Sequence, residues 1–444
     1  MSEAEPLRVL RWSDQDRQIF QLALPALGSL AAGPLYILTD TAIVGHLGTA
    51  PLAGLALAGV LLDAVLSLCG FLAYATTAHV GRQQGAGQEL AVRRVAAQAL
   101  WTAAAIGVAV VIVGELAGPF ALQGLGGSGD IVALGNVYLR IALLGLPFAL
   151  IANAGEGYLR GLSDLRTPLL FIVGGNVLNV LLEVLFIYGL GWGLAGSAWA
   201  TVIAQGAMGS GFIVRLWRDS AGERRPKLGD MRPLLRMSWQ IFVRTAALYM
   251  SFLAASSVLA HIGASSLAAH QVLFQEWLFL SLVLDSVAIA GQVLISRALG
   301  TGDREAAIAA ANRMIGWSAM AGGVFAIALL GLGSILPLAF TSDPAVLDRV
   351  HAAWPVFALM QPLNGVAFAL DGILIGAGDS RYLMGAMLVS SLVAVPIALG
   401  ALLFGWGILG VWLALLALIV VRVLTTGRRF IQQRWAVTGA LVGA

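Results

Sequence analysis

The sequence predicts an all-α polytopic membrane protein, with twelve transmembrane helices in two pseudo-symmetric six-helix lobes that repeat in parallel. Three observations carry this expectation. The 444 residues are 59% hydrophobic and only 11% charged, with a mean hydropathy of +0.88, whereas charged residues make up roughly a quarter of a soluble globule. Short motifs return at a constant offset of 215 residues: Gly81-Arg82-x-x-Gly85-x-Gly87 as Ser296-Arg297-x-x-Gly300-x-Gly302, Gly48-x-x-x-Leu52-Ala53 as Gly263-x-x-x-Leu267-Ala268, and Gly161-x-x-Asp164 as Gly376-x-x-Asp379. Arginine and lysine, finally, fall in alternate loops. One offset aligning three loops marks a duplicated half, and a duplicated set of spans puts a transport site between its halves.

The first element opens at Ser13-Asp14-Gln15-Asp16, which reads as a helix N-cap box. Met1 to Arg17 is charged and lacks a small-residue cleavage site, so it does not read as a removed signal peptide. Apolar runs between Gly, Pro and charged breaks then give helices near residues 17–44, 50–79, 94–117, 131–155, 167–189 and 193–217. The second set falls near 233–261, 266–295, 307–334, 345–375, 381–404 and 408–427. The expected organisation is a cytoplasmic segment 1–16, an N-lobe 17–217, a solvated linker 218–232, a C-lobe 233–427 and a cytoplasmic tail 428–444. Arg8, Arg11 and Arg17 lie before the first span, and Arg82, Arg93 and Arg94 between the second and third. Arg218, Arg224, Arg225, Lys227 and Arg232 fill the linker, Arg297 and Arg304 follow the eighth span, and Arg428, Arg429 and Arg434 close the chain. The loops near Gly191, Gly263 and Gly405 carry no Lys or Arg. By the positive-inside rule both termini and the linker are cytoplasmic, and six spans per half give the halves one orientation.

A carboxylate inside a bilayer is costly, so it faces a cavity, pairs with a partner or carries protons. Asp40 lies about five residues before Gly45, Glu183 about six before Gly189, and Thr201 about eight after Gly193. At ~1.5 Å per residue all three sit at a similar depth, roughly 8–12 Å below the outer surface. Asn179 shares a helix face with Glu183, and Asn176 adds an amide on about the same stripe. Such a group makes either a proton site or an oxygen-lined cation site, for sodium at Asp40, Asn179, Glu183 and Thr201. The alternative is that Asp40 and Glu183 are neutral, hydrogen-bonded residues that lock three helices. Pro25 and Pro34 each remove an intrahelical hydrogen bond, with Gly28 and Gly33 beside them. The first helix therefore bends at low cost, either as a hinge answering to Asp40 or as a static kink. One repeat on, Gln240 and Ala255 replace Pro25 and Asp40, so the chemistry is concentrated in the first lobe.

Other intramembrane polar residues suit structural roles. Glu156 and Asp371 occupy equivalent positions and are expected to pair with loop arginines such as Arg82 and Arg297, holding the inner side closed. Asp63, Glu276 and Asp285 lie within spans two and eight. Glu276 and Asp285 suit contact with a cationic substrate, or equally pairing with Arg244 or Arg140, the few arginines counted inside spans. Tyr36, Met250, Phe274 and Trp277 suit a substrate cavity or plain packing, and His46 and His270 suit structural roles. The single cysteine, Cys69, excludes a disulfide framework and a Cys-based metal site.

Several segments together are similar to one known family. Pro25 followed by Asp40, Val44-Gly45-His46-Leu47-Gly48 and Leu52-Ala53-Gly54 resembles the first-helix signature of multidrug and toxic compound extrusion (MATE) transporters. Gly157-x-x-Arg160-Gly161-x-x-Asp164-x-x-Thr167-Pro168 is similar to the loop between its fourth and fifth helices. Gly196-x-Ala198-x-Ala200-Thr201 resembles the sixth helix, and Gly263-x-x-x-Leu267-Ala268-Ala269-His270-Gln271 the hairpin of the seventh and eighth. Asp371-Gly372-x-Leu374-x-Gly376-Ala377-Gly378-Asp379 resembles the DinF-like branch. The resemblance implies a coupling-ion site at Asp40, Asn179 and Thr201. Glu183 departs from it, standing where an aspartate is common.

The resemblance further implies an antiporter that exports amphipathic, often cationic, organic compounds or drugs by alternating access, in exchange for protons or sodium. The expected partners are a small-molecule substrate and membrane lipids, for a monomer in the plasma (bacterial inner) membrane. No cofactor is expected beyond the coupling ion. The alternative is a lipid-linked precursor flippase of the same superfamily, which calls for a cationic central cleft; the few arginines inside spans favour the exporter. The chain carries no HExxH, GxSxG or Walker-A motif, so an enzyme is not expected. Its basic residues follow the membrane topology, so no nucleic-acid binding is expected either.

Overall fold

The computed structural model describes residues 13–126 and 129–440; the expected arginines Arg8 and Arg11 lie outside them. Among the described residues the regular structure is helical. This is what a bilayer demands, since a helix satisfies its backbone hydrogen bonds within one segment. Among the described residues nine helices are long and apolar enough to cross a membrane, and two further pairs do so together across a 50° bend. The 27-residue helix α8 (Gly193–Asp219), less apolar with its five glycines, is also long enough to cross and is consistent with a twelfth span.

In chain order, the first six spans are α1 (Asp14–Gly45), the stacked α2 (Thr49–Leu68) and α3 (Phe71–Gly85), α4 (Glu89–Gly124), the bent pair α5 (Gly129–Leu143) and α6 (Leu146–Gly161), α7 (Arg166–Val184), and α8. The last six are α9 (Leu228–Ile262), α10 (Ala264–Gly300), α11 (Arg304–Leu332), the bent pair α12 (Pro344–Leu359) and α13 (Gln361–Ala377), α14 (Ser380–Leu403) and α15 (Gly407–Ile431). A single turn of π-helix, Leu185–Gly189, continues α7. Three spans that the apolar runs read as continuous are interrupted. Gly70 stands between α2 and α3, while Pro147 and Pro362 sit in the first turn of α6 and α13, where their missing N–H costs nothing. The linker is also shorter than expected. α8 runs on to Asp219 and α9 starts at Leu228, which leaves only residues 220–227 outside helices.

The chain divides into two compact units. One is Gly28–Trp239; the other joins α1 up to Leu27 with the chain from Gln240 onward. The duplication is visible in both. A Cβ added to Gly157 of α6 would lie 2.7 Å from the Ala73 Cα of α3, and one added to Gly372 of α13 would lie 2.9 Å from the Ala288 Cα of α10. Gly107 meets Pro147, and its counterpart Gly322 meets Pro362. The equivalent caps Gly48 and Gly263 both take positive φ, 120° and 147°, which a side chain would strain. Large apolar side chains such as Leu116, Phe120 and Leu170 are more than 70% exposed. A hydrocarbon environment suits that surface and water does not.

A buried carboxylate cluster as candidate coupling site

In the unit Gly28–Trp239, four helices bring polar side chains to one point. α1 contributes Tyr36 and Asp40, α5 Tyr138, α7 Asn179 and Glu183, and α8 Ser197 and Thr201. Ser197 Oγ donates to Asp40 Oδ1 across 2.8 Å. Thr201 Oγ1 gives its hydrogen to the Ser197 carbonyl one turn earlier, at 3.1 Å. It therefore accepts from Asn179 Nδ2 at 3.3 Å and from the Tyr36 hydroxyl at 3.0 Å. Tyr138 of α5 also stands beside Thr201 and Ser197. Asn176, one turn before the main group, donates to the Ala32 carbonyl at 2.9 Å and so ties α7 to the α1 backbone.

Glu183 is fully buried, and its carboxyl stands beside Asp40 and Ser197. Yet both Glu183 oxygens and the Asn179 Oδ1 are buried with no hydrogen-bond donor. Buried acceptors are nearly always partnered, so three orphans in one cluster single it out as a candidate site. The π turn begins two residues after Glu183, a form common at functional sites. Within it the Tyr188 hydroxyl donates to the Ile43 carbonyl at 2.8 Å, joining the C-terminal ends of α7 and α1.

The depth argument thus selects Asp40, Asn179, Glu183 and Thr201, which the structure brings together. Tyr36, expected at a substrate cavity, belongs with them. Ser197 and Tyr138 are additions. Ser197 sits one turn from Thr201, but a serine between Gly196 and Ala198 reads as packing, and Tyr138 carries no signal beyond being a lone tyrosine in an apolar run.

The remaining polar candidates, spread over both units, form different sets. Asp371 is hydrogen-bonded to both Arg244 of α9 and Arg422 of α15. Its expected partner Arg297 is instead exposed at the end of α10. Asp285, half-buried, stands near Arg422, a third intramembrane arginine that the sequence count omits. Glu156 is ion-paired with Arg160, one turn along α6, and Arg82 is fully buried in α3. Arg140 pairs with Glu115 at 2.8 Å, so neither it nor Arg244 serves Glu276. Glu276 is 7% exposed and accepts no hydrogen bond. Phe274 lies in an aromatic group with Phe252 and Trp277, while Met250 is exposed on α9 and Asp63 on α2. His46 and His270 bond the Ala42 carbonyl and Ser256.

Comparison with known proteins agrees with this architecture. The MatE family profile matches residues 25–185 and 241–399, one copy in each repeat. Over 424 residues the chain is 28% identical to the DNA damage-inducible protein F of Escherichia coli, covering 92% of this chain and 91% of that one. It is 29% identical over 428 residues to Protein DETOXIFICATION 44, chloroplastic, of Arabidopsis thaliana, covering 91% and 80%. A probable multidrug resistance protein NorM from Thermotoga maritima is 24% identical over 433 residues, covering 94% and 93%. Among solved structures, a MATE protein in the bent conformation superposes with a TM-score of 0.86 at 20% identity, covering 98% of this chain and 97% of that one. A MOP superfamily transporter from Pyrococcus furiosus superposes at 0.84 with 22% identity, covering 98% and 99%. With two copies of the family profile spanning most of its length, the chain belongs to the MatE family of transporters.

Proposed function

We propose that the protein is a secondary active exporter of amphipathic, often cationic, organic compounds, driven by inward proton movement through the Asp40–Glu183 cluster. The observation that carries this reading is the set of orphaned acceptors beside Asp40: both Glu183 oxygens and the Asn179 Oδ1. Two adjacent carboxyl groups away from water cannot both hold a full charge cheaply, so protons are natural ligands for the pair. The names of the relatives, among them a probable multidrug resistance protein, support the substrate class. Arginine placement supports a plasma-membrane protein with both termini cytoplasmic. A monomer suffices, since the cluster lies within one unit.

When the pair is ionised, Ser197 makes a charge-assisted hydrogen bond to Asp40. Protonating Asp40 weakens that bond and frees the outer part of α1 to shift against α8. Pro25 and Pro34, each of which leaves a carbonyl of the preceding turn without its helical donor, let α1 absorb the shift as a bend. Proton binding and helix geometry are thereby linked.

The flippase reading is less well supported. Arg244 and Arg422 both spend their charge on Asp371, and Arg140 spends its own on Glu115, so these guanidinium groups are already engaged.

The test is Asp40→Asn in everted vesicles under separately imposed proton and sodium gradients. Asn keeps the shape and accepts from Ser197 but exchanges no proton. Efflux driven by the proton gradient is expected to vanish while expression and membrane insertion stay normal. Wild-type efflux driven by sodium alone would replace the proton with sodium in this scheme. Full activity of a well-folded Asp40→Asn protein would remove the cluster from the coupling mechanism.

A further inference from the structure

The inner end of α1 is held by a site that the coupling scheme does not use. Asp16, fully buried, closes the cap box on Ser13, accepting from the Ser13 N–H at 2.7 Å. Its Oδ1 also accepts from Trp317 Nε1 of α11 at 2.7 Å, and its Oδ2 lies 3.4 Å from Arg313 Nη1 of the same helix. Phe20, one turn on, packs edge-on against the Trp317 ring at 5.0 Å. α1 is therefore divided. Up to Leu27 it packs with the unit that contains α11, and from Gly28 onward, with Asp40, it packs with the other unit.

A second clamp occupies the equivalent place in the repeat. Gln98 of α4 lies one offset of 215 before Arg313. It grips the segment that leads into α9, donating to the Arg225 carbonyl at 3.1 Å and accepting from the Lys227 N–H at 3.0 Å. Trp101 donates to the Arg224 carbonyl at 2.9 Å, as Trp317 does to Asp16. Glu223, bonded by Lys227 and Arg94, has its carboxyl held below the usual glutamate range by those two partners. α9 is divided too, at Trp239. The third span of each repeat thus fixes the foot of a helix whose far end belongs to the other unit.

The two gripped helices differ beyond the clamp. Between its foot and Asp40, α1 carries Pro25 and Pro34. α9 has Gln240 at the position of Pro25 and no proline from there to Ile262. From the position of Pro25 onward, one gripped helix carries two prolines and the other carries none.

We propose that Asp16, with Arg313 and Trp317, is a positioning site for the transport cycle. It keeps the foot of α1 fixed, so that movement at Asp40 becomes a bend at Pro25 to Pro34 and not a displacement of the whole helix. The proposal rests on the reading of Asp40 as the coupling carboxylate. With the foot released, protonation of Asp40 moves α1 without repositioning the rest of its unit, and proton movement uncouples from efflux.

The test uses the full-length protein in proteoliposomes with a transported fluorescent cation. Asp16→Asn keeps an acceptor for Trp317 but loses the charge opposite Arg313, and Trp317→Phe keeps the Phe20 contact but loses the donor. Each is expected to bind the cation with wild-type Kd, lower proton-driven efflux roughly tenfold, and raise the proton leak measured without substrate. A purely structural role would instead lower thermal stability and affinity together. In a Cys69→Ala background, Asp16→Cys and Arg313→Cys are then joined by a short cleavable thiol crosslinker. Efflux that persists when the foot is covalently fixed supports an anchor, whereas efflux stopped by the link and restored on cleavage overturns it. Wild-type coupling in both Asp16→Asn and Trp317→Phe also overturns it. Full activity of Asp40→Asn would strike the coupling reading alone, and the crosslinking result would still stand for the foot.

Discussion

Ser197 lies at the junction of the carboxylate cluster, donating to Asp40 while its carbonyl accepts from Thr201. A hydrogen bond to a charged group contributes ~1.5–3 kcal/mol, so its loss should be felt in coupling. Ser197→Ala is expected to slow proton-driven efflux by roughly one to two orders of magnitude and leave the fold intact. Glu183→Gln should impair efflux about as much as Asp40→Asn, and Asn179→Ala or Thr201→Ala less, since neutral ligands contribute less than a charge. Initial efflux rates in vesicles check the order; Glu183→Gln at wild-type rate would reduce the site to Asp40 and its serine. The acidic members of this cluster were legible because a carboxylate in an apolar run stands out and its depth follows from helix rise. Ser197 was not, because a serine among Gly and Ala in α8 reads as a small packing residue. Tyr138 was not, because its partners Ser197 and Thr201 lie on α8, about sixty residues away, and no local pattern pairs them.

At the scale of the helices, the packing depends on glycines that face another backbone. Gly157 meets Ala73 and Gly372 meets Ala288, so the second helices of the bent spans, α6 and α13, lie flush against α3 and α10. A valine at either position must push two backbones apart, at a cost on the order of 1–3 kcal/mol. Gly157→Val and Gly372→Val are each expected to lower the midpoint of thermal unfolding in detergent. Gly174→Ala, facing open space on α7, should stay within about 0.5 kcal/mol of wild type. Equal stability of all three would show that these contacts are not close in solution. The number of spans was readable because ~20 apolar residues are needed to cross a bilayer. The breaks were not. Pro147 and Pro362 are compatible with either a new helix or a kinked one, and neighbouring helices decide which.

At the scale of the whole molecule, the two repeats share architecture but not chemistry. One repeat beyond Asp40, Asn179 and Glu183 stand Ala255, Ala394 and Ala398, all buried and apolar. Duplication was legible from the loops alone, because tight turns require glycine and keep it visible. The distribution of function between repeats was legible only where a charge survives. The proposed orientation rests on lysine and arginine crowding alternate loops. Thiol labelling checks it, but not at Gly191, Gly222 or Gly405, whose φ values of 70°, 88° and 70° a cysteine would strain. Leu190, Phe404 and Ala221 beside them are exposed and suited to the purpose. In a Cys69→Ala background, Leu190→Cys and Phe404→Cys are expected to react with an impermeant reagent added to intact cells. Ala221→Cys should react only after the membrane is permeabilised. The opposite pattern would place the linker outside the cell, so that Asp40 and Glu183 would lie near the inner surface and inward proton flow would load the cluster last. Export driven by proton entry requires that the cluster be loaded first, and this labelling experiment therefore decides the direction of transport as well as the topology.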